Sequence, residues 1–246
     1  MKAEFLVENC ERFLPTLNKI LPLHSQVPVL SNLLIETTKE GIFIYATNLE
    51  IGIRVKISGK IEEEGATTVP GKQFIETLSS FPKDKVVLTL EKDTLRLRCR
   101  DNTVLLQTIA KEEFPTIYEE KGDKAYGFSE GELENIFSGV IFAASLDDAR
   151  PELTGVLLSQ EESGMNFVAT DGFRLSLKRV KNRKILTGEP LILPARLIGE
   201  LIGLAGPVTM YVHSKVKQVM FEAEDMILVG RLISGQFPNY ERVIPK

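Results

Sequence analysis

Few residues in this chain could do chemistry, and their spacing sets narrow limits on it. His24 and His213 are the only histidines, and Cys10 and Cys99 the only cysteines, among 246 residues. A structural zinc site needs about four Cys or His ligands at short spacing, which these four do not supply. Both cysteines lie in apolar-periodic segments and read as reduced core residues. No glycine-rich phosphate loop is present, and the serines lack a histidine partner nearby in sequence. The acidic run Glu62-Glu63-Glu64 precedes a glycine and reads as a solvated turn. Asp147-Asp148 has no third carboxylate spaced for a cation cage and reads as a loop tip. Asp171-Gly172 is turn chemistry. The chain is therefore read as non-enzymatic, without a cofactor and without a metal.

The elements that carry these residues are organised by an internal repeat. Ala46-Thr47-Asn48 recurs as Ala169-Thr170-Asp171, a shift of 123. The same shift takes Phe5 to Phe128, Pro28 to Pro151, Leu34 to Leu157 and Phe114-Pro115 to Phe237-Pro238. Val69-Pro70-Gly71-Lys72 corresponds to Leu193-Pro194-Ala195-Arg196 at a shift of 124. Landmarks in order at nearly constant offset divide the chain into two homologous halves, about 1–117 and 125–246. The polar stretch from Tyr118 to Lys124 suits a linker. A period this long means tandem domains, each with its own core.

Within the first half, Cys10, Phe13, Leu14, Leu17, Ile20 and Leu21 follow helical spacing, and Pro15 should kink that helix or fall in its first turns. A second helix begins at Pro70 and buries Phe74, Ile75, Leu78 and Phe81. Leu133, Ile136, Phe137, Val140 and Ile141 repeat the first helix, and Leu197, Ile198, Leu201 and Ile202 repeat the second. Ile42–Tyr45, Leu49–Ile57, Val86–Leu90 and Leu95–Cys99 read as strands, with turns at Lys92-Asp93 and Asp101-Asn102. The fold class expected is α+β, antiparallel sheets with four helices segregated to one side.

No run of 18 apolar residues exists, and the opening Met1-Lys2-Ala3-Glu4-Phe5 reads as a strand, not as a secretory signal. With reduced cysteines, this points to a cytoplasmic protein. The formal net charge is −4, which argues against gripping nucleic acid over the whole surface but leaves room for a local basic stripe.

Three stretches carry a resemblance. They are Arg150-Pro151-Glu152-Leu153-Thr154-Gly155-Val156-Leu157, the run from Phe167 to Leu175, and the close from Gly235 to Pro245. Together they resemble the second domain of the β subunit of bacterial DNA polymerase III, the sliding clamp. Leu30–Leu34 and Gly65–Pro70 are similar to stretches of its first domain. The resemblance implies clamp domain I at 1–120, domain II at 125–246, sheets outside and two helices per domain on the inner face. It implies a processivity factor that encircles double-stranded DNA without sequence preference and tethers DNA polymerase, clamp loader and repair proteins by their linear peptide motifs. DNA-binding candidates are Lys72 and Arg196, at equivalent places after the two prolines, with His24 and Arg150 in loops. The peptide pocket carries over to Leu153, Thr170, Gly172, Phe173, Arg174, Leu175, Pro238, Arg242 and Val243. Leu153, Leu175 and Val243 read equally as core. Such clamps have three domains per chain, whereas this sequence stops after the second. A homo-oligomeric ring of the usual kind is then compromised and the pocket half-built. A fragment, a trimeric ring and an open, stand-alone peptide-docking arc all remain compatible with the sequence.

Overall fold

In the computed structural model, residues 1–22, 25–117, 121–181, 183–184, 189–202, 204 and 206–244 are described. The chain falls into two compact units, Met1–Tyr118 with Asp225–Ile227, and Glu119–Glu224 with Leu228–Lys246. The first unit runs β1 (Lys2–Leu6), α1 (Val7–Glu11), α2 (Leu14–Ile20), β2 (Asn32–Thr38), β3 (Gly41–Thr47) and β4 (Ile51–Ile57). It continues through β5 (Gly59–Glu63), β6 (Gly65–Pro70), α3 (Gly71–Ser80), β7 (Lys85–Glu91), β8 (Thr94–Cys99) and β9 (Asn102–Gln107). Antiparallel pairing gives the orders β5-β1-β7-β8-β9 and β4-β3-β2-β6.

Alternation decides which face of β4-β3-β2-β6 is buried, because successive side chains leave opposite sides of a strand. Leu33, Ile35, Ile42, Ile44, Ile53 and Val55 form one fully buried face, with α2 packed against β3 and β4, and α3 against α2 and β2. The first helix of the sequence reading is two pieces. The chain bends at Arg12-Phe13, and Pro15 is the second residue of α2, where its missing N–H orphans no carbonyl. Gly71 opens α3 because the helices approach too closely there for a larger residue. A Cβ at that position would lie 2.4 Å from Leu21 Cδ1.

The second unit repeats this plan with β10 (Asp123–Phe128), α4 (Glu132–Phe137), β11 (Gly155–Glu161), β12 (Gly164–Thr170) and β13 (Leu175–Lys181). β14 (Leu191–Pro194), α5 (Ala195–Leu201), β15 (Val208–His213), β16 (Gln218–Glu222) and β17 (Met226–Arg231) complete it. The strand orders β10-β15-β16-β17 and β13-β12-β11-β14 match β1-β7-β8-β9 and β4-β3-β2-β6 strand for strand. The repeat seen in the sequence is thus a repeat of topology, and the α+β class holds. Its core is more aromatic than the first. Phe137 meets Phe167 edge to face at 88° with ring centroids 5.4 Å apart, and Phe128 lies 6.0 Å from Phe137 and 6.5 Å from Phe221. These geometries suit the ring quadrupoles and tie α4 to β10, β12 and β16.

Three expectations change. Leu49 is not in β4: it occupies a turn with φ +74, and the strand starts at Ile51. Glu62 and Glu63 end β5 instead of forming a solvated turn, with Lys2 Nζ 2.7 Å from Glu62. The helix carrying Leu133 stops at Phe137, and Ile141–Ala143 is a separate 3-10 turn. Both cysteines are buried, and burial pushes the Cys10 thiol up to about 12. Among the described residues, no helix is long and apolar enough to cross a membrane.

Since Phe137 joins two aromatic contacts in a fully buried position, Phe137→Ala should cost about 3–5 kcal/mol in urea unfolding. The exposed Phe173→Ala should change stability by less than about 0.5 kcal/mol in the same assay.

Candidate functional site

One face of β13-β12-β11-β14 packs on the helices, and the other needs a different cover. Leu157, Val168 and Ile192 on that other face form a buried cluster with Tyr240, and Leu175, Leu177, Ile233, Phe237 and Ile244 pack partly buried around it. Cross-strand register explains the grouping, since Leu157 pairs with Val168 and Val168 with Leu177. The segment after β17 is tied down at both ends of this cover. Ile233 N donates to Ile192 O at 3.0 Å, while Asn166 Nδ2 donates to Tyr240 Oη at 3.0 Å. Asn166 is buried, so this bond and one to Glu161 satisfy an amide that would otherwise destabilise the face.

Beside the cluster stands the turn Thr170–Arg174. Thr170 Oγ1 donates to Arg174 O (2.6 Å) and accepts from Gly172 N (3.1 Å). The Asp171 carboxylate accepts from Phe173 N, Arg174 N and Arg174 Nε, each at 2.9 Å. Those two backbone N–H groups, with the Arg174 guanidinium, hold the Asp171 carboxyl below its usual value despite some desolvation. Gly172 supplies φ +91, which a residue with a Cβ adopts only under strain. The wiring leaves no slack for Phe173 to fold inward, and its side chain is 99% exposed.

The nine candidate pocket residues therefore separate. Gly172, Phe173 and Arg174 form the exposed turn, and Leu175 joins it to the apolar cluster. Pro238, Arg242 and Val243 are exposed on the segment that also carries Phe237, Tyr240 and Ile244. Leu153 is 1% exposed and Thr170 is 9% exposed. Of the alternatives the sequence leaves open, Leu153 is core, and Val243, 68% exposed, is surface. Arg150, a DNA-binding candidate of the sequence, lies at this turn: its Nη2 donates to Asp171 O at 3.3 Å and its guanidinium covers Gly172.

The first unit has the same turn without the apolar cluster beside it. Thr47 Oγ1 donates to Ile51 O, and Asn48 Oδ1 accepts from Glu50 N and Ile51 N. Leu49 takes the positive φ there that Gly172 takes in the second unit. On the neighbouring sheet face, however, Gly52 and Arg54 stand where Leu175 and Leu177 stand. Ile117 closes over Gly52, and Arg54 sits over the Phe43 ring at 5.1 Å.

The cations candidate for DNA fall on matching helices. Lys72 and Arg196 are each the second residue of their helix, and each is exposed. His24 lies outside the described residues. One motif escapes the sequence reading above: Gly127-Phe128-Ser129-Glu130-Gly131 has the spacing of a hydrolase nucleophile elbow. Ser129 instead lies in the turn before α4, its N and Oγ donating to the Glu132 carboxylate at 2.9 and 2.8 Å. Sequence reasoning also missed Tyr240 and Asn166, which hold the cover in place. It missed Phe142 too, a half-exposed ring 5.8 Å from the Arg174 guanidinium. Among the described residues, no three His, Cys, Asp or Glu side chains group to hold a metal ion.

Two family models account for nearly all of the chain. The N-terminal domain of the DNA polymerase III beta subunit matches residues 5–118, and its central domain matches residues 128–239. The chain belongs to the DNA polymerase III beta subunit family. The beta sliding clamp of Proteus mirabilis is 27% identical over 251 residues, covering 99% of this chain and 68% of the relative. That of Synechococcus elongatus is 28% identical over 244 residues, covering 95% of this chain and 64% of the relative. The chain thus spans about two thirds of the length of these relatives. A crystal structure of the Helicobacter pylori beta clamp bound to a DNA ligase peptide has the same fold. Its TM-score is 0.89 at 23% identity, with 100% of this chain and 70% of that one covered.

For this family member, the Asp171 turn makes a pH prediction. A carboxyl held below its ordinary 3.8 stabilises the turn fully above that value and loses the effect as pH falls through the lowered one. The Phe173 and Arg174 amides should therefore stay protected from exchange from neutral pH down to about pH 4 and lose protection at lower pH. Asp171→Ala should remove that protection at every pH, read by NMR.

Proposed function

We propose that this chain acts as a DNA sliding clamp, a non-catalytic processivity factor that surrounds duplex DNA and docks partner proteins by linear peptides on its second unit. Family membership over both units supports the clamp role. The observation that carries the DNA reading is the matched pair Lys72 and Arg196. Each lies in the first turn of its helix, where the dipole disfavours a cation by about 0.3–1 kcal/mol, and neither first turn has an acidic residue. A cost repeated at equivalent positions is accounted for by phosphate contact, which a clamp needs without sequence preference. Such contacts tolerate an overall charge of −4, because only the surface facing the duplex must be basic.

The peptide reading rests on the difference between the units. The first closes its sheet face with Ile117 and Arg54, whereas the second leaves an apolar cluster beside an exposed aromatic turn. Partly exposed aliphatic floor with a few oriented polar groups suits an extended peptide with apolar anchors. The Helicobacter relative with its ligase peptide supports this choice of ligand.

On nicked circular DNA, the wild-type chain with its loading machinery should be retained and should be released when the circle is cut. Lys72→Glu with Arg196→Glu should lower retention and flatten its salt dependence, with unchanged urea unfolding. Unchanged salt dependence would remove both residues from the DNA face, and retention on linear DNA would favour a docking module over a ring. In a polarisation titration with a labelled DNA ligase peptide, Phe173→Ala should weaken binding about fivefold or more. Equal affinity would place the turn outside the pocket.

A further inference from the structure

A second concavity lies in the same unit, where β11 and β14 pass beneath Gly235–Glu241. Its volume is about 530 Å³, and of the nine candidate peptide residues only Pro238 borders it. Leu157, Ile192 and the Phe237 ring supply its apolar surface. Its charged border is formed by the Glu161 and Glu241 carboxylates alone, beside the Ser159 and Tyr240 hydroxyls and the Gln160, Gln236 and Asn239 amides, each of which can also accept. Among the described residues, no lysine, arginine or histidine borders it and neither carboxylate has an ion-pair partner.

We infer that this concavity receives an arginine side chain from a segment of a partner protein. The charge of the border excludes nucleic acid, because phosphates would meet two carboxylates and no cation. An apolar floor with acceptors at the rim matches a side chain that is apolar along its stem and rich in donors at its tip. Arginine fits better than lysine. Its planar, weakly hydrated guanidinium stacks on rings such as Phe237 and Tyr240, and its five N–H groups can serve several acceptors at once, while an ammonium keeps its water. The location gives this a use independent of the pocket beside Phe173. A partner held there by apolar anchors gains a second, charge-selective contact on the far edge of the same sheet face, so that sequence beyond the anchors selects among partners.

The test uses N-acetyl-arginine amide and its neutral isostere N-acetyl-citrulline amide as probes of the whole chain, followed by methyl NMR. The arginine probe should shift the Leu157 and Ile192 methyl signals and bind about tenfold more tightly than the citrulline probe, since a charge-assisted bond is lost in the latter. Glu241→Gln, on an exposed side chain, and Glu161→Gln should each reduce that preference, and the two together should abolish it. Equal affinity for both probes, or shifts confined to residues outside the concavity, would overturn the assignment. Glu241→Gln keeps the test valid if Glu161→Gln disturbs the buried Asn166. Phe173→Ala should leave arginine binding unchanged, which separates this site from the peptide pocket.

Discussion

A four-stranded sheet has two faces, and one layer of helices covers only one of them. Both units of this chain are shaped by what happens on the other. Burying the helix-facing side is the ordinary business of core formation, with fully enclosed aliphatic strands in the first unit and a set of interlocking phenylalanines in the second. The two units close the other side by different means. The first unit makes that side partly polar, with Tyr45 bonded to Glu36, and seals it with Ile117. The second makes it aliphatic and draws the chain after β17 across it, anchored by Tyr240 on Asn166. Everything proposed for the second unit follows from that choice, because an aliphatic face under a narrow strap is covered at its centre and accessible at its margins.

The two margins differ in chemistry because the strands that end there differ. Toward β13 the face meets the Thr170–Arg174 turn, whose polar groups are consumed internally and whose aromatic ring is therefore presented outward. Toward β14 it meets carboxylates and hydroxyls with no cation beside them among the described residues. The proposed apolar anchor and the proposed basic side chain would thus take separate seats on one sheet. Strand-borne positions hold their spacing better than loops do, and internal hydrogen bonds fix the backbone of the turn as well.

The repeat was legible in the sequence because its landmarks are residues with local jobs. Asn48 and Asp171 close turns, and Pro70 and Pro194 cap helices, so neither pair drifts. Strand register was less legible. Aligning apolar with apolar would set Ile51 against Leu175, a shift of 124. The hydrogen-bonded pairs Thr47–Gly52 and Thr170–Leu175 show that the true shift is 123. One residue of slip moves every side chain to the other face. The alternation in β13 was therefore visible while its direction was not: Leu175 and Leu177 point away from the helices. Ser176 and Lys178 point toward them, bonding Gly139 O and Asn135 Oδ1. The strand assigned to begin at Leu49 failed for a related reason. Asn48 satisfies two backbone donors locally, and that competes successfully with extending the ladder.

Burial of the site residues was the least legible feature, because it depends on segments far away in the chain. Leu153 and Val243 are both aliphatic and both belong to stretches that carry the family resemblance, yet one is enclosed and the other is on the surface. Nothing local separates them. Each ends a 3-10 turn, but the Leu153 carbonyl accepts from Ser145 N at 2.8 Å, whereas Val243 stands between Tyr240 and Ile244, which take the inward positions on the cluster. A fixed backbone commits a side chain to the direction it takes, inward for Leu153 and outward for Phe173. The same reasoning ranks the remaining candidates: Phe173 is exposed because its backbone is fixed, and Arg150 is near the pocket because its guanidinium caps that fixed backbone. Exposure without order would cost binding entropy, and order without exposure would offer no surface. The turn from Thr170 to Arg174 combines both, which is why the peptide reading is centred there and not on the more hydrophobic Leu153.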